Sequence, residues 1–116
     1  MTLPIRTQRL VIRKFTFADI DDIISFTAHP SVARETTNIP RDDRDKMMEY
    51  VETQNSYSLF ETQACVDLAC ECKETGAVIG LLSLVSDGKR QAEIGWGFGI
   101  ESRGQGLATE AARALI

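Results

Sequence analysis

The chain has 116 residues, enough for one domain or part of one, and it can bury roughly two-thirds of its surface without disulfide or metal staples. A net charge of −4 argues against general nucleic-acid binding, which needs a basic footprint. No apolar run reaches 18 residues and the N-terminus has no signal-peptide core, so the default expectation is a cytoplasmic protein with no membrane contact.

Residues 9–15 read as a first strand. Thr16-Phe17-Ala18-Asp19 has the form of a capping box, with Asp19 in place of the usual Glu or Gln. Phe17, Ile20, Ile23, Ile24 and Thr27 follow at helical spacing, which predicts a helix to about Ala28, stopped before Pro30, with Asp21 and Asp22 on its solvent side. A short helical turn starts at Ser31. Residues 41–54 form a second long helix buried through Met47, Met48 and Val51, and its first residues alternate in charge like a solvated face. Residues 57–63 fit loop or strand equally.

Three strands come next, at residues 65–73, 78–85 and 91–100. Glu74-Thr75-Gly76 and Asp87-Gly88-Lys89 supply turns between them short enough to make the strands antiparallel neighbours. In the first of these strands Val66, Leu68, Cys70 and Cys72 alternate with Asp67, Ala69 and Glu71. Cys70 and Cys72 therefore read as small buried hydrophobes. An odd number of cysteines is no disulfide framework. The one-residue gap between Cys70 and Cys72, with the single histidine far away at His29, does not suit zinc either, so no metal is expected. From Leu107 the chain is helical, with Leu107, Ala108, Ala111, Ala112 and Leu115 as an apolar stripe. The order β-α-α-β-β-β-α predicts a single α+β domain over residues 1–116, a mixed, mainly antiparallel sheet with helices packed on it.

The functional signal lies in the last strand and the turn after it. Ala92, Ile94, Trp96, Phe98 and Ile100 share one face, while Glu93 lies on the other with Gly95, Gly97 and Gly99. Three glycines on one face weaken a strand, so something is expected to approach this backbone closely. Arg103-Gly104-Gln105-Gly106 then turns into the helix, where free N–H groups and the positive end of the helix dipole converge. That combination is an anion site, most often for phosphate. Gly104-x-Gly106-x-x-Thr109 is one residue from the dinucleotide fingerprint, but that motif needs an acidic residue about 20 positions on, and only ten residues follow Gly106. A plain helix cap would explain Gly104 and Gly106 and leave the glycine face unexplained.

Arg103-Gly104-Gln105-Gly106-Leu107-Ala108 resembles the pyrophosphate signature Gln/Arg-x-x-Gly-x-Gly/Ala of the GNAT superfamily of acyl-CoA-dependent N-acetyltransferases. Thr7-Gln8-Arg9-Leu10-Val11-Ile12-Arg13 resembles the opening strand of its RimJ/RimL branch, the ribosomal-protein N-terminal acetyltransferases. His29-Pro30-Ser31-Val32, Gly80-Leu81-Leu82-Ser83-Leu84 and Ala92-Glu93-Ile94-Gly95-Trp96 resemble later segments of that branch, in the same order. The resemblance implies the first two-thirds of the GNAT fold and an N-acetyltransferase. Its acceptor would be a primary amine, at a protein N-terminus or on a small molecule, and a negative net charge mildly suits a cationic acceptor.

By the same resemblance, backbone groups of Phe98, Gly99 and Ile100 hold the pantetheine arm of acetyl-CoA. Arg103, Gly104, Gln105, Gly106, Leu107, Ala108 and Thr109 hold its pyrophosphate. Glu93 is the candidate general base, because it shares the glycine face; the alternative is a solvent-facing strand glutamate, since carboxylates are mostly exposed. The chain ends inside a helix without a cap, and complete relatives continue for some fifty residues or more. A truncated domain is therefore expected, completed by a longer chain or by a homo-oligomer and not a competent monomeric enzyme as it stands. The alternative is a non-catalytic CoA-binding or interaction module.

Overall fold

The computed structural model describes residues 3–34, 36–57, 65–86 and 92–115. A two-residue strand β1 (Ile5–Arg6) precedes β2 (Leu10–Arg13), and a single 3₁₀ turn at Phe17–Asp19 leads into α1 (Ile20–Thr27). Then come α2 (Pro30–Ala33), α3 (Arg44–Ser56), β3 (Cys65–Cys72), β4 (Val78–Ser86), β5 (Ala92–Phe98), a second 3₁₀ turn at Ile100–Ser102, and α4 (Leu107–Ala114). The sheet runs β1-β2-β3-β4-β5 with every neighbour antiparallel. This is the α+β arrangement expected from the sequence. The turn at Asp87-Gly88-Lys89 and the ambiguous stretch at 58–63 lie outside the described residues.

Local chemistry explains where the helices start. The Thr16 N–H donates to Asp19 Oδ2 at 2.8 Å, the backbone half of the capping box. Asp19 is buried, and Arg13 clamps it bidentately from β2 at 2.8 and 2.9 Å. Burial pushes the Asp19 carboxyl up, but the Arg13 guanidinium and the Thr16 N–H outweigh it and hold the group below its ordinary range. The second long helix starts at Arg44, three residues later than predicted, because Asp43 caps it by accepting from the Lys46 N–H at 3.2 Å. Its buried side is Met47, Val51 and Gln54. Met48, expected in the core, is 40% exposed because it sits one residue, and so about 100° of helix, from that stripe.

The sheet buries both faces. Leu10, Ile12, Val66, Leu68, Cys70, Leu82, Leu84 and Phe98 pack against Leu107, Ala111 and Leu115 of α4 and the residue after it. The opposite face, with Ala69 and Leu81, packs under Ile20 and Ile23 of α1, Ile39, and Met47 and Val51 of α3. Central β3 is therefore covered on both sides, and Asp67 and Ala69, which alternation set apart from the core, are buried.

The glycine face of β5 is not bare. A Cβ on Gly97 would lie 3.2 Å from Thr36 Cγ2, and one on Gly99 would lie 3.1 Å from Phe26 Cβ. The close approach inferred from these glycines is real at those two positions, but the chain's own loop after α2 and its helix α1 make it. Only Gly95 faces open space, its nearest neighbour being Ser83 Cβ at 4.0 Å.

Candidate active site

At the end of β5 the chain changes direction twice within nine residues, and each change has a local cause. Gly104 and Gly106 have φ values of 79° and 76°, left-handed conformations that disfavour side chains. Gly106 is the N-cap of α4, and its carbonyl accepts from the Glu110 N–H at 3.0 Å. The amides of Leu107, Ala108 and Thr109 are thus the first-turn N–H groups that a helix cannot pair internally. They border a cavity of about 400 Å³ together with Trp96, Phe98, Ser102, Arg103, Gly104 and Gly106. Gln105, placed with these residues by sequence, turns its side chain away and donates to the Glu101 carbonyl at 3.2 Å.

The turn is clasped from the far end of the chain. Arg9, just before β2, donates from Nη1 to the Gln105 carbonyl at 2.9 Å and from Nε to Glu110 Oε1 at 2.7 Å. Glu110 Oε2 accepts from the Arg9 N–H at 2.9 Å and from the Thr7 hydroxyl. The Glu110 carboxylate, in the first turn of α4, is therefore occupied by Arg9 and Thr7 on the side away from the cavity. Sequence reasoning singled out Thr7 and Arg9 as part of a strand and missed this clasp, because nothing local links them to residues a hundred positions away.

Strand β5 is the edge of the sheet among the described residues. Alternate residues of an antiparallel strand direct both backbone groups to one side. The Gly99 N–H donates inward to the Ile79 carbonyl at 2.9 Å, so Phe98 directs its backbone groups to the free edge, whereas Ile100 already belongs to the 3₁₀ turn and its carbonyl accepts from the Arg103 N–H at 3.4 Å. The Phe98 carbonyl there accepts from Arg103 Nε at 3.3 Å, which ties the guanidinium to the rim of the cavity. Gly99 contributes by letting Phe26 close on the strand, with its own N–H already paired. Trp96 is on the α4 face as alternation requires, yet 54% exposed, and forms the cavity wall opposite the turn.

Glu93 lies on the opposite face, paired in register with Val85, and is exposed. It lines neither the cavity at the turn nor the cavity on its own face. That second cavity, about 220 Å³, is bounded by Thr36, Asn38, Ile39, Asp67, Leu81, Ser83, Gly95, Trp96 and Gly97. Asp67 and Ser83 went unrecognised in the sequence because strand alternation alone gives an inward polar residue no distinguishing mark.

The fold that carries this turn has known counterparts. The chain is 31% identical over 112 residues to an uncharacterized N-acetyltransferase p20 of Bacillus licheniformis, covering 95% of this chain and 62% of that protein. Among solved structures it is similar to a GNAT-family acetyltransferase from Bacillus anthracis (TM-score 0.69, 22% identity, 96% of this chain and 62% of that one). It is also similar to RimL, the ribosomal L7/L12 alpha-N-protein acetyltransferase, solved in complex with coenzyme A (TM-score 0.66, 14% identity, 97% and 64%). The chain thus spans somewhat less than two-thirds of the length of these relatives. Residues 9–116, nearly the whole chain and including both the clasping arginine and the turn, match the acetyltransferase (GNAT) domain, and the chain belongs to that family.

Proposed function

We propose that this domain binds acetyl-CoA and serves an N-acetyltransferase that moves the acetyl group to a primary amine. The observation that carries the reading is the convergence at Gly104–Thr109 of two left-handed glycines, unpaired first-turn amides and a rim arginine around one cavity. The pyrophosphate would sit on the amides of Leu107, Ala108 and Thr109. The pantetheine arm would run along the free edge of β5 and meet the N–H groups of Phe98 and Ile100, as an added strand does.

In the reaction the amine nitrogen attacks the thioester carbonyl, a C–N bond forms, and the C–S bond breaks with CoA leaving as thiolate. One amine proton must be taken up, and Glu93 is the proposed acceptor of it. The thiolate is then protonated from solvent. The exposure of Glu93 favours keeping the second reading, a CoA-binding module without catalysis, as the alternative. The chemistry of the acceptor follows the RimJ/RimL resemblance to protein N-termini or to small amines, and the expected compartment is the cytoplasm.

Thr109→Glu tests the anion site without relying on misfolding. Thr109 is exposed at the third position of α4, where a carboxylate favours the helix dipole by about 0.3–1 kcal/mol. The same charge would repel a pyrophosphate on the neighbouring amides. The expected result is equal or higher thermal stability together with at least a tenfold loss of acetyl-CoA affinity in calorimetry. Unchanged affinity would remove the assignment. Acetyl transfer to a panel of peptides and small amines then separates the enzyme from the binding module.

A further inference from the structure

The second cavity holds a buried carboxylate that makes no ion pair among the described residues, and the Arg41 guanidinium reaches the cavity wall at Thr36, whose hydroxyl accepts from Nη2 at 2.7 Å. Asp67, in the middle of β3, is 2% exposed, and its backbone N–H donates to Gln54 Oε1 at 2.8 Å. Its carboxylate accepts from the Ser83 hydroxyl at 2.6 Å, from Asn38 Nδ2 at 3.3 Å and from the Tyr50 hydroxyl. The ion pairs among the described residues are Arg9–Glu110, Arg13–Asp19, Arg13–Glu71 and Arg44–Asp21, and none reaches it.

Burial, reinforced by the field of Asp67, pushes both the Tyr50 hydroxyl and the Cys65 thiol up, so these neighbours remain protonated donors and do not relieve the charge. A buried carboxylate whose hydrogen bonds come from neutral donors is costly, and well-packed apolar side chains are often more stable in such places. The carboxylate instead borders a cavity of about 220 Å³, equal to about seven waters in the liquid. The cavity extends to Gly95 and Gly97 on the edge strand, and Gly95 is the one glycine of that face with open space above it.

We infer that this cavity is a subsite for a compact ammonium group of the acceptor, with Asp67 as its counter-charge and Ser83 beside it. The inference rests on the acetyltransferase reading and narrows the acceptor. An ammonium paired with a buried carboxylate is held in its charged form, which has no lone pair and cannot attack a thioester. The anchored group is therefore not the one acetylated. Asp67 lies two strands in from the edge, roughly 10 Å at the usual spacing between strands, so the acceptor carries a second amine that reaches the β5 edge. The acceptor class is a small diamine or a comparable amine with a second compact cation.

The test titrates 1,5-diaminopentane, 1-pentylamine and neutral 1,5-pentanediol against the protein, following backbone amide shifts by NMR. The two amines are expected to saturate shifts centred on Ser83, Gly95 and Gly97, and the diol to leave them unmoved. Asp67→Asn, which keeps the shape and removes the charge, should weaken amine binding roughly 10- to 100-fold. Gly95→Val is the second variant: a Cβ there meets only ordinary contact and its methyls enter the cavity, so binding should vanish even if Asp67→Asn fails to fold.

Diol binding equal to amine binding, undiminished binding in either folded variant, shifts centred elsewhere, or no amine binding at all overturns the subsite. Acetyl-CoA titrated into the same samples reports separately. Acetyl-CoA binding without amine binding defeats this inference alone. Amine binding without acetyl-CoA binding defeats the acetyltransferase reading and leaves the cation site standing.

Discussion

Gly80 has the least room of any described glycine, and replacing it with alanine measures how firmly the end of β5 is held. An ideal Cβ there would lie 2.6, 2.7 and 2.8 Å from Cδ2, Cγ and Cε2 of Phe98, its cross-strand partner. Carbon atoms in contact prefer about 3.5–4.0 Å, so the ring must retreat by about 1 Å. The retreat is blocked, because Phe98 is only 4% exposed and is packed in the cluster with Leu82, Leu107 and Ala111. Overpacking of this kind costs about 1–3 kcal/mol, which for a domain near this size lowers the melting temperature by about 4–8 °C per kcal/mol. Urea unfolding followed by circular dichroism gives the number directly. Phe98→Leu removes the ring that is struck, so the double variant should be more stable than the sum of the single changes by about 1 kcal/mol or more. Because the Phe98 carbonyl holds Arg103 at the cavity rim, the single variant should also weaken acetyl-CoA binding. A Gly80→Ala change within about 0.5 kcal/mol of the parent, or strict additivity with Phe98→Leu, would falsify the packing argument.

Two more outcomes concern the site. Burial pushes the Glu110 carboxyl up, but the hydrogen bonds from Thr7 and Arg9 outweigh it and hold the group below its usual range. A depressed carboxyl contributes stability that is complete above its unfolded pKa, about 4.3, and is lost as pH falls through the folded value. Arg9→Met should therefore flatten the acid side of the stability profile below about pH 5 and weaken acetyl-CoA binding by loosening the turn at Gln105. An unchanged acid limb would show that the clasp does not form in solution. Glu93→Gln should lower turnover by roughly 100-fold with acetyl-CoA affinity unchanged, whereas equal turnover across the pH range would return Glu93 to a solvent-facing glutamate.

The secondary structure was legible because its signals are local: the Thr16–Asp19 box, the Gly76 turn and the stripe of α4 depend on neighbours within a few positions. The phosphate-type turn was legible for the same reason, as two glycines and a helix start fit within six residues. What the sequence hid was long-range. Asp67 alternates with Val66 and Leu68 as a solvent-facing residue would, and only the α1–α3 layer on the other side of β3 makes it a buried charge. Close approach was correctly read at Gly97 and Gly99 but not at Gly95, and the sequence does not say what approaches: it is Thr36 and Phe26. Met48 failed for a smaller reason: one step along a helix separates a buried stripe from its shoulder.

Those corrections assign the two sheet faces different tasks. The α4 face carries the glycine turn, Trp96 and the outward backbone of Phe98, all of them groups that suit an anionic cofactor with an extended arm. The opposite face carries Asp67, Ser83 and the opening at Gly95, groups that suit a cation. An amine and an acyl donor must meet with their reacting atoms in contact, and binding each to a separate surface fixes both before the reaction. Among the described residues, the only strand that both cavities touch is β5, where Trp96 borders one and the other. In the proposed reaction a glycine-rich edge strand would let the two ligands approach from opposite sides. The glycines thereby serve two purposes along one strand. Gly97 admits Thr36, which borders the Asp67 cavity, Gly99 admits Phe26 of α1, and Gly95 leaves open space above the strand.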